Sequence, residues 1–261
     1  MNLNSLFQRL GSKLLWLTNP KLTLKVVKAL ILEANRLTSI SNGTFYFNAK
    51  KIANRIGETN AKNRISAILQ ALRREEAVGY NSTFNKFFVK KGHREKLLKI
   101  LKHITENIHL VKYYNPLNYI EPPICISRLN RKGREEIIGL AKREGLFKPI
   151  YVVNNGEFRI IFKQFRRSGF TIYVGERKVL SVERKHFTKP LRGSFSNEDI
   201  EIRRIRGREL RLYSMKNMRN LAIMKSYGFE KAVFTFDKKL NDISIPLSAA
   251  LFAIKQLDVI V

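Results

Sequence analysis

The period of the hydrophobic pattern changes repeatedly along the first third of the chain, and each change predicts an element. Leu3, Phe7, Leu10, Leu14 and Leu17 recur at helical spacing, with Arg9, Ser12 and Lys13 elsewhere on the turn, and Pro20 punctuates the end of the segment. Such a helix is expected to pack on its own domain or on a second copy of the chain, which makes a homodimer one expected assembly. Between Leu22 and Leu37 the run is so dense in Leu, Val, Ile and Ala that it predicts a long, mostly buried helix. Ser41-Asn42-Gly43 reads as a turn and Thr44-Phe45-Tyr46-Phe47 as a short aromatic strand. Asn48 is placed to cap the helix that follows, because its side-chain oxygen can accept an orphan amide of the first turn, and Gly57 stops that helix. A second helix is predicted from about Asn60 to Ala77, then two short strands around a polar turn in GYNSTFNKFFVKK. A third helix is predicted from Arg94 to Val111, with Leu97, Leu98, Leu101, Ile104 and Ile108 on its apolar stripe.

The stretch NPLNYIEPP, residues 115–123, is the best domain boundary, since Pro116, Pro122 and Pro123 resist both helix and central strand. Beyond it, KGREEIIGLAKREGL predicts a short helix and PIYVVNNGEFRIIF a hairpin with Asn155-Gly156 in its turn. FTIYVGERKVLSVERK and IEIRRIRGRELRLYS predict two more hairpins. A helix near Met215–Tyr227, a strand at Ala232–Phe236 and a terminal apolar helix complete the reading.

The order helix, strand, helix, turn, helix, hairpin over residues 22–91 resembles the winged helix-turn-helix family. Ile52, Ala53 and Ile56 stand at the inward positions of its first helix, and Ile65, Ile68, Leu69 and Leu72 at those of its second. The stretch from Ala77 to Lys91 supplies the wing. The expected fold class is therefore α+β: an N-terminal winged helix-turn-helix with flanking helices over residues 1–114, then a hairpin-rich antiparallel α+β domain over residues 124–261.

At 100° per residue, Asn60, Asn63, Ala67, Gln70 and Arg74 fall opposite that apolar stripe, with Arg64 and Ser66 flanking. No carboxylate precedes Glu75 on this face, so it does not repel phosphate. The resemblance implies that this helix enters the major groove with its N-terminal residues at base edges. Asn and Gln can pair with adenine, Arg with guanine, and a small Ala can touch the thymine methyl. In the wing, Asn81, Ser82, Asn85 and Lys86 are candidates for phosphate or minor-groove contacts, with Lys90 and Lys91 adding charge.

Charge supports a polyanionic partner. The chain has 261 residues with 50 Lys+Arg against 21 Asp+Glu, a formal net charge of +29. An excess this large repels itself unless a polyanion neutralises it. It is not a tail: 21 basic and 6 acidic residues lie in the chain up to Ile120, and 29 and 15 after it. From Arg131 to Lys189, 15 basic residues interleave with Tyr151, Phe158, Phe162, Phe165, Phe170 and Tyr173, a composition that suits either a groove for stacked bases or inward core with a solvated outer face. Arg203, Arg204, Arg206, Arg208 and Arg211 form the densest basic patch, around Gly207.

With Cys125 as its single cysteine, the chain cannot form an intrachain disulfide. The first segment lacks the layout of a signal peptide, and no uninterrupted apolar stretch reaches the ~18 residues of a spanning helix. A cytoplasmic location, nucleoid-associated or nuclear, and no membrane partner are expected. The function expected is binding of double-stranded DNA as a transcription regulator or a replication or partition factor. An RNA-binding or ribonucleoprotein component is the alternative.

A second alternative is a metal-dependent, structure-specific nuclease. FKQFRRSGF, TIYV and RKVLSVERK resemble a restriction-type nuclease core, with Glu183 and Lys185 as its Glu-x-Lys. Such an enzyme needs a carboxylate pair to hold its divalent cation. The only Asp residues are Asp199, Asp237, Asp242 and Asp258, so Glu157 or Glu176 would have to stand in. His93, His103, His109 and His186 have no metal spacing with Cys125. No catalytic residue, metal ligand or cofactor is assigned from sequence.

Overall fold

The computed structural model describes residues 19–37, 43–114, 122–144, 150–163, 169–184, 190–205, 209–227 and 230–257. The amphipathic segment 3–17 lies outside them. The described chain divides into two units, one of residues up to Glu106 with Leu129–Arg134, the other of Asn107–Arg128 and the residues from Glu135 onward. The division falls at Glu106 and Asn107, and residues 115–121 of the proline-rich stretch lie outside the described residues.

The first unit is built on helix α1 (Pro20–Arg36). Asn19 caps it, its Oδ1 accepting from Leu22 N at 3.0 Å, and Pro20 occupies the first turn, where a missing amide costs nothing. Leu24, Val26, Val27, Leu30 and Ala34 are buried, because this helix packs against its neighbours on several sides. Strand β1 (Thr44–Phe47) leads to helix α2 (Ala49–Arg55), whose Asn48 cap accepts from Lys51 N at 2.9 Å. Gly57, at φ +69°, lets the chain leave α2 in the left-handed region that a Cβ would oppose.

A short 3₁₀ turn (Thr59–Ala61) then enters helix α3 (Lys62–Arg74), which buries Ile65, Ile68, Leu69 and Leu72. Strands β2 (Gly79–Asn81) and β3 (Lys86–Lys90) form a hairpin, and the sheet order is β1-β3-β2. Helix α4 (Arg94–Glu106) packs on α1. Glu33 is buried between Arg36 and Arg55, an ion pair that ties α2 to α1.

Helix α4 stops short of the expected Val111. Asn107 offers its carbonyl to Phe236 N at 3.2 Å, and Ile108–Tyr113 continues as strand β4. Cross-strand pairing overrides the helical spacing of Ile104 and Ile108.

The second unit overturns the expected fold class. It is no α+β domain following a winged helix: a closed twelve-stranded antiparallel barrel dominates the chain. Its strands run in sequence order: β4, β5 (Ile124–Leu129), β6 (Glu135–Glu144), β7 (Ile150–Val153), β8 (Phe158–Lys163), β9 (Gly169–Val174) and β10 (Arg177–Glu183). They continue through β11 (Leu191–Phe195), β12 (Glu198–Ile205), β13 (Glu209–Ser214), β14 (Arg219–Tyr227) and β15 (Lys231–Phe236). Pairing of β15 with β4, Thr235 opposite Ile108, closes the ring and removes both sheet edges.

Two segments that read as helices are strands, β6 and β14. In β14, Leu221, Ala222, Ile223 and Met224 are all buried, so the strand is covered on both faces and its alternation is erased. The three hairpins are present, the first turning through Asn154, Asn155 and Gly156, all at positive φ.

Helix α5 (Ser244–Leu257) fills the barrel. It packs on β4, β6, β8, β9, β14 and β15, strands spread around the ring, and shares one core with Phe162, Phe170, Phe234 and Phe236. A helix apolar on all sides is stable only when enclosed, and SIPLSAALFAIKQL is such a sequence. Ala249, Ala250 and Ala253 keep it narrow. Gly139 of β6 meets it directly: a Cβ there would lie 2.5 Å from Ile245 Cγ2.

Candidate nucleic-acid interface

The outward face of α3 and the 3₁₀ turn that enters it carry six of the side chains singled out from sequence. Asn60, Asn63, Arg64 and Arg74 are exposed, while Ala67 and Gln70 are half-buried. Burial of Ile65, Ile68, Leu69 and Leu72 on the other side fixes this orientation, since the helix repeat leaves these positions no other direction. Among the described residues, Arg64 and Arg74 have no carboxylate partner, whereas nearby Lys25 is taken by Glu58 at 2.5 Å. Arg64 also borders a basic pocket of about 270 Å³ with Lys21, Lys25 and Lys28.

The end of α3 is tied to the hairpin by Arg73, whose guanidinium lies 4.4 Å over the Tyr80 ring. The hairpin tip is held rigid by its own side chains. Asn81 Oδ1 accepts from Phe84 N at 3.1 Å, Ser82 O accepts from Asn85 N at 3.2 Å, and Asn85 adopts φ +48° while its Oδ1 accepts from the Tyr80 hydroxyl. Asn81 and Asn85 therefore use their acceptor oxygens within the hairpin, and a phosphate contact would fall to their amide N–H donors. Ser82 and Lys86 stay exposed, and Lys86 has no partner among the described residues.

The arginines of the barrel are arranged differently. Arg203 and Arg192 converge on Glu201, which is fully buried, with Arg192 Nε 2.7 Å from its Oε2. Burial pushes the Glu201 carboxyl up, but hydrogen bonds and charge from Arg203 and Arg192 outweigh it and hold the group below the usual carboxylate range. Arg203 also lies 5.2 Å over the Tyr213 ring, and Arg211 is buried against Glu209. Arg204 is exposed, and Arg206 and Arg208 lie outside the described residues. Of that densest basic patch in the sequence, Arg203 and Arg211 are thus paired with carboxylates of their own strands.

Among the described residues, most of the aromatic side chains expected along a groove in this unit are core instead. Phe158, Phe162 and Phe170 belong to the barrel core, and Tyr151 packs on Phe162 at 5.6 Å. Tyr173 is half-buried on β9, and Phe165 lies outside the described residues. Period-two alternation sends the aromatics inward and the basic residues outward.

The carboxylates named for a nuclease do not converge. Glu183 ends β10 and pairs with Lys163 at 2.8 Å, while Glu176 sits in the turn that begins the same strand, roughly 20 Å away at ~3.3 Å per residue. Glu157 lies near that turn, its carbonyl accepting from Gly175 N at 3.1 Å. Lys185 is outside the described residues. Asp199 borders the same surface groove as Glu183, a neighbour that sequence order conceals because β11 separates them.

Among the described residues no group of three or more His, Cys, Asp and Glu side chains is placed to hold a metal ion. Cys125 is buried, and His109 packs against Phe236, where burial, followed by the charge of Arg128, pushes its pKa down to about 3. No described helix is long and apolar enough to cross a membrane.

No protein-family model and no curated protein matches the chain. A solved structure of a protein from Arabidopsis thaliana is similar at 14% identity with a TM-score of 0.38, covering 61% of this chain and 94% of that one.

Proposed function

We propose that the protein binds double-stranded DNA through its first unit, working as a winged helix with α3 in the major groove and the β2–β3 hairpin against the backbone, in the cytoplasm or nucleoid. The observation that carries this reading is the outward face of α3, where amide and guanidinium side chains stand exposed and Arg64 and Arg74 have no carboxylate partner among the described residues. Its side chains match the donors and acceptors of base edges, with Asn63 and Gln70 suited to adenine and Arg74 to guanine or phosphate.

Electrophoretic shift of duplex DNA across a salt series tests the proposal. Affinity falls by ~10³-fold or more between 50 and 200 mM salt if six or more phosphates are neutralised. Asn63→Ala and Gln70→Ala each reduce discrimination between sites by about 1–3 kcal/mol. A flat salt response, or binding confined to RNA, removes the reading.

A further inference from the structure

The three-stranded sheet of the first unit has an outer face whose aromatic rings the duplex reading does not use. Register places Tyr46 opposite Phe88 and Phe88 opposite Gly79, so β1, β3 and β2 bring these positions side by side. Alternation along the strands turns Phe47, Phe87 and Val89 into the core and leaves Tyr46, Lys86, Phe88 and Lys90 outside. Phe84, at the hairpin tip, completes a row of rings. Its centroid lies 5.8 Å from that of Tyr46, which lies 5.8 Å from that of Phe88.

Two of these rings are open to solvent, and Phe88 is half-buried. Phe84 is 60% and Tyr46 38% exposed. The Phe88 ring lies over the bare backbone of Gly79, where a Cβ would come within 2.1 Å of it. Phe84 is fixed by the Asn81 hydrogen bond to its amide. Turn chemistry asks for small polar residues at such a tip, so a large exposed aromatic ring there is unexplained by folding.

Charge identifies the occupant. Lys86 and Lys90 alternate with Phe88 along β3, Lys90 Nζ lies 5.5 Å over the Phe88 ring, and Lys91 follows. No Asp or Glu occurs between Val78 and Arg94 or between Thr44 and Asn48. A protein partner with an ordinary mixed surface would meet uncompensated lysines here. Rings interleaved with cations match a nucleic-acid strand, whose bases have π faces and whose backbone is anionic.

We infer that the outer face of this sheet is a stacking platform for the unpaired bases of a single nucleic-acid strand, with Tyr46, Phe84 and Phe88 as its rings and Lys86 and Lys90 on its phosphates. The site is distinct from the α3 face; it shares Lys86 with the hairpin edge proposed to meet the duplex backbone, and its rings stand or fall independently of duplex binding.

Fluorescence anisotropy of the full chain tests it with labelled 15-mers of dT and rU, an abasic 15-mer of the same charge, and a duplex measured in parallel. At least one of the two base-bearing strands binds, and binds better than the abasic strand. Phe84→Ala and Tyr46→Ala each weaken that binding by about tenfold or more while changing duplex affinity less than twofold. Phe84→Trp retains single-strand binding, which separates loss of the ring from loss of the fold. Equal affinity for abasic and base-bearing strands, an equal loss on the duplex, or no binding of either single strand overturns the platform. Absence of duplex binding alone removes the α3 reading and leaves this one intact.

Discussion

The α3 face with its hairpin and the β12–β13 ladder of the barrel are similarly basic in sequence, and the structure separates them by what their cations touch. On the ladder, Arg203 shares the buried Glu201 with Arg192 of the neighbouring β11, and Arg211 is buried with Glu209. On the first unit, carboxylates pair elsewhere, Glu58 with Lys25 and Glu76 with Lys96, and leave Arg64, Arg74 and Lys86 without a partner among the described residues. A basic side chain held by an internal carboxylate has already spent its charge on the fold. One left in solvent beside amide donors keeps its charge for a ligand. Net charge per domain does not distinguish the two, while pairing does.

Arg211 gives the strongest way to break this comparison. Its side chain is 10% exposed and that of Glu209 12%, so removing the guanidinium leaves a carboxylate buried without its counter-charge. Arg211→Ala destabilises the protein by about 3–5 kcal/mol, measured by denaturant unfolding. Duplex affinity, measured on the folded protein well below its midpoint, stays as in the parent. A variant that folds normally and loses DNA would place the ladder in the binding surface and undo the contrast.

Glu201 sharpens the comparison through pH. Its pKa is depressed in the folded state, so its contribution to stability is present above the unfolded value of about 4.3 and is lost as pH falls through the lower folded value. Glu201→Gln costs about 1–2 kcal/mol near neutral pH, a modest figure because Arg192 and Arg203 are 68% and 46% exposed and partly screened. The gap between parent and variant narrows as the pH falls toward 3. Urea midpoints at a series of pH values check this, and a gap that widens in acid contradicts the assignment.

Legibility from sequence followed the range of the interactions involved. The caps at Asn19 and Asn48 and the stop at Gly57 are local chemistry, and Asn48 and Gly57 were readable as they stood. Three of the barrel hairpins were readable for the same reason, Asn155-Gly156 above all. Closure was not, because the pairing of Ile108 with Thr235 spans the whole unit and leaves no local mark. The strands β6 and β14 were hidden because β6 carries helix-forming Glu, Leu, Ala and Lys, and β14 is buried on both faces. In the candidate site, the helix repeat puts Asn63 and Gln70 on the side away from the core, while the hydrogen bonds of Asn81 and Asn85 within the hairpin depend on turn geometry. The aromatic face was missed because Tyr46 and Phe88 are 42 residues apart and meet only through the β1–β3 register.

Lys86 and Arg203 give the smallest and most discriminating pair. Lys86 is exposed, has no partner among the described residues and stands just beyond the hairpin tip, so its loss costs the fold nothing specific. Lys86→Ala keeps stability within about ±0.5 kcal/mol of the parent. It weakens every duplex alike and lowers the slope of log affinity against log salt by about one, because one phosphate contact is gone. Arg203 is also about half exposed, but its guanidinium is bonded to Glu201 and lies over Tyr213. Arg203→Ala therefore lowers stability, by up to about 1 kcal/mol, and leaves the salt slope unchanged. Titrating both variants against one duplex at four salt concentrations reads the two slopes directly. A slope lowered by Arg203→Ala and untouched by Lys86→Ala would move the phosphate contacts from the hairpin to the barrel and reverse the roles of the two regions.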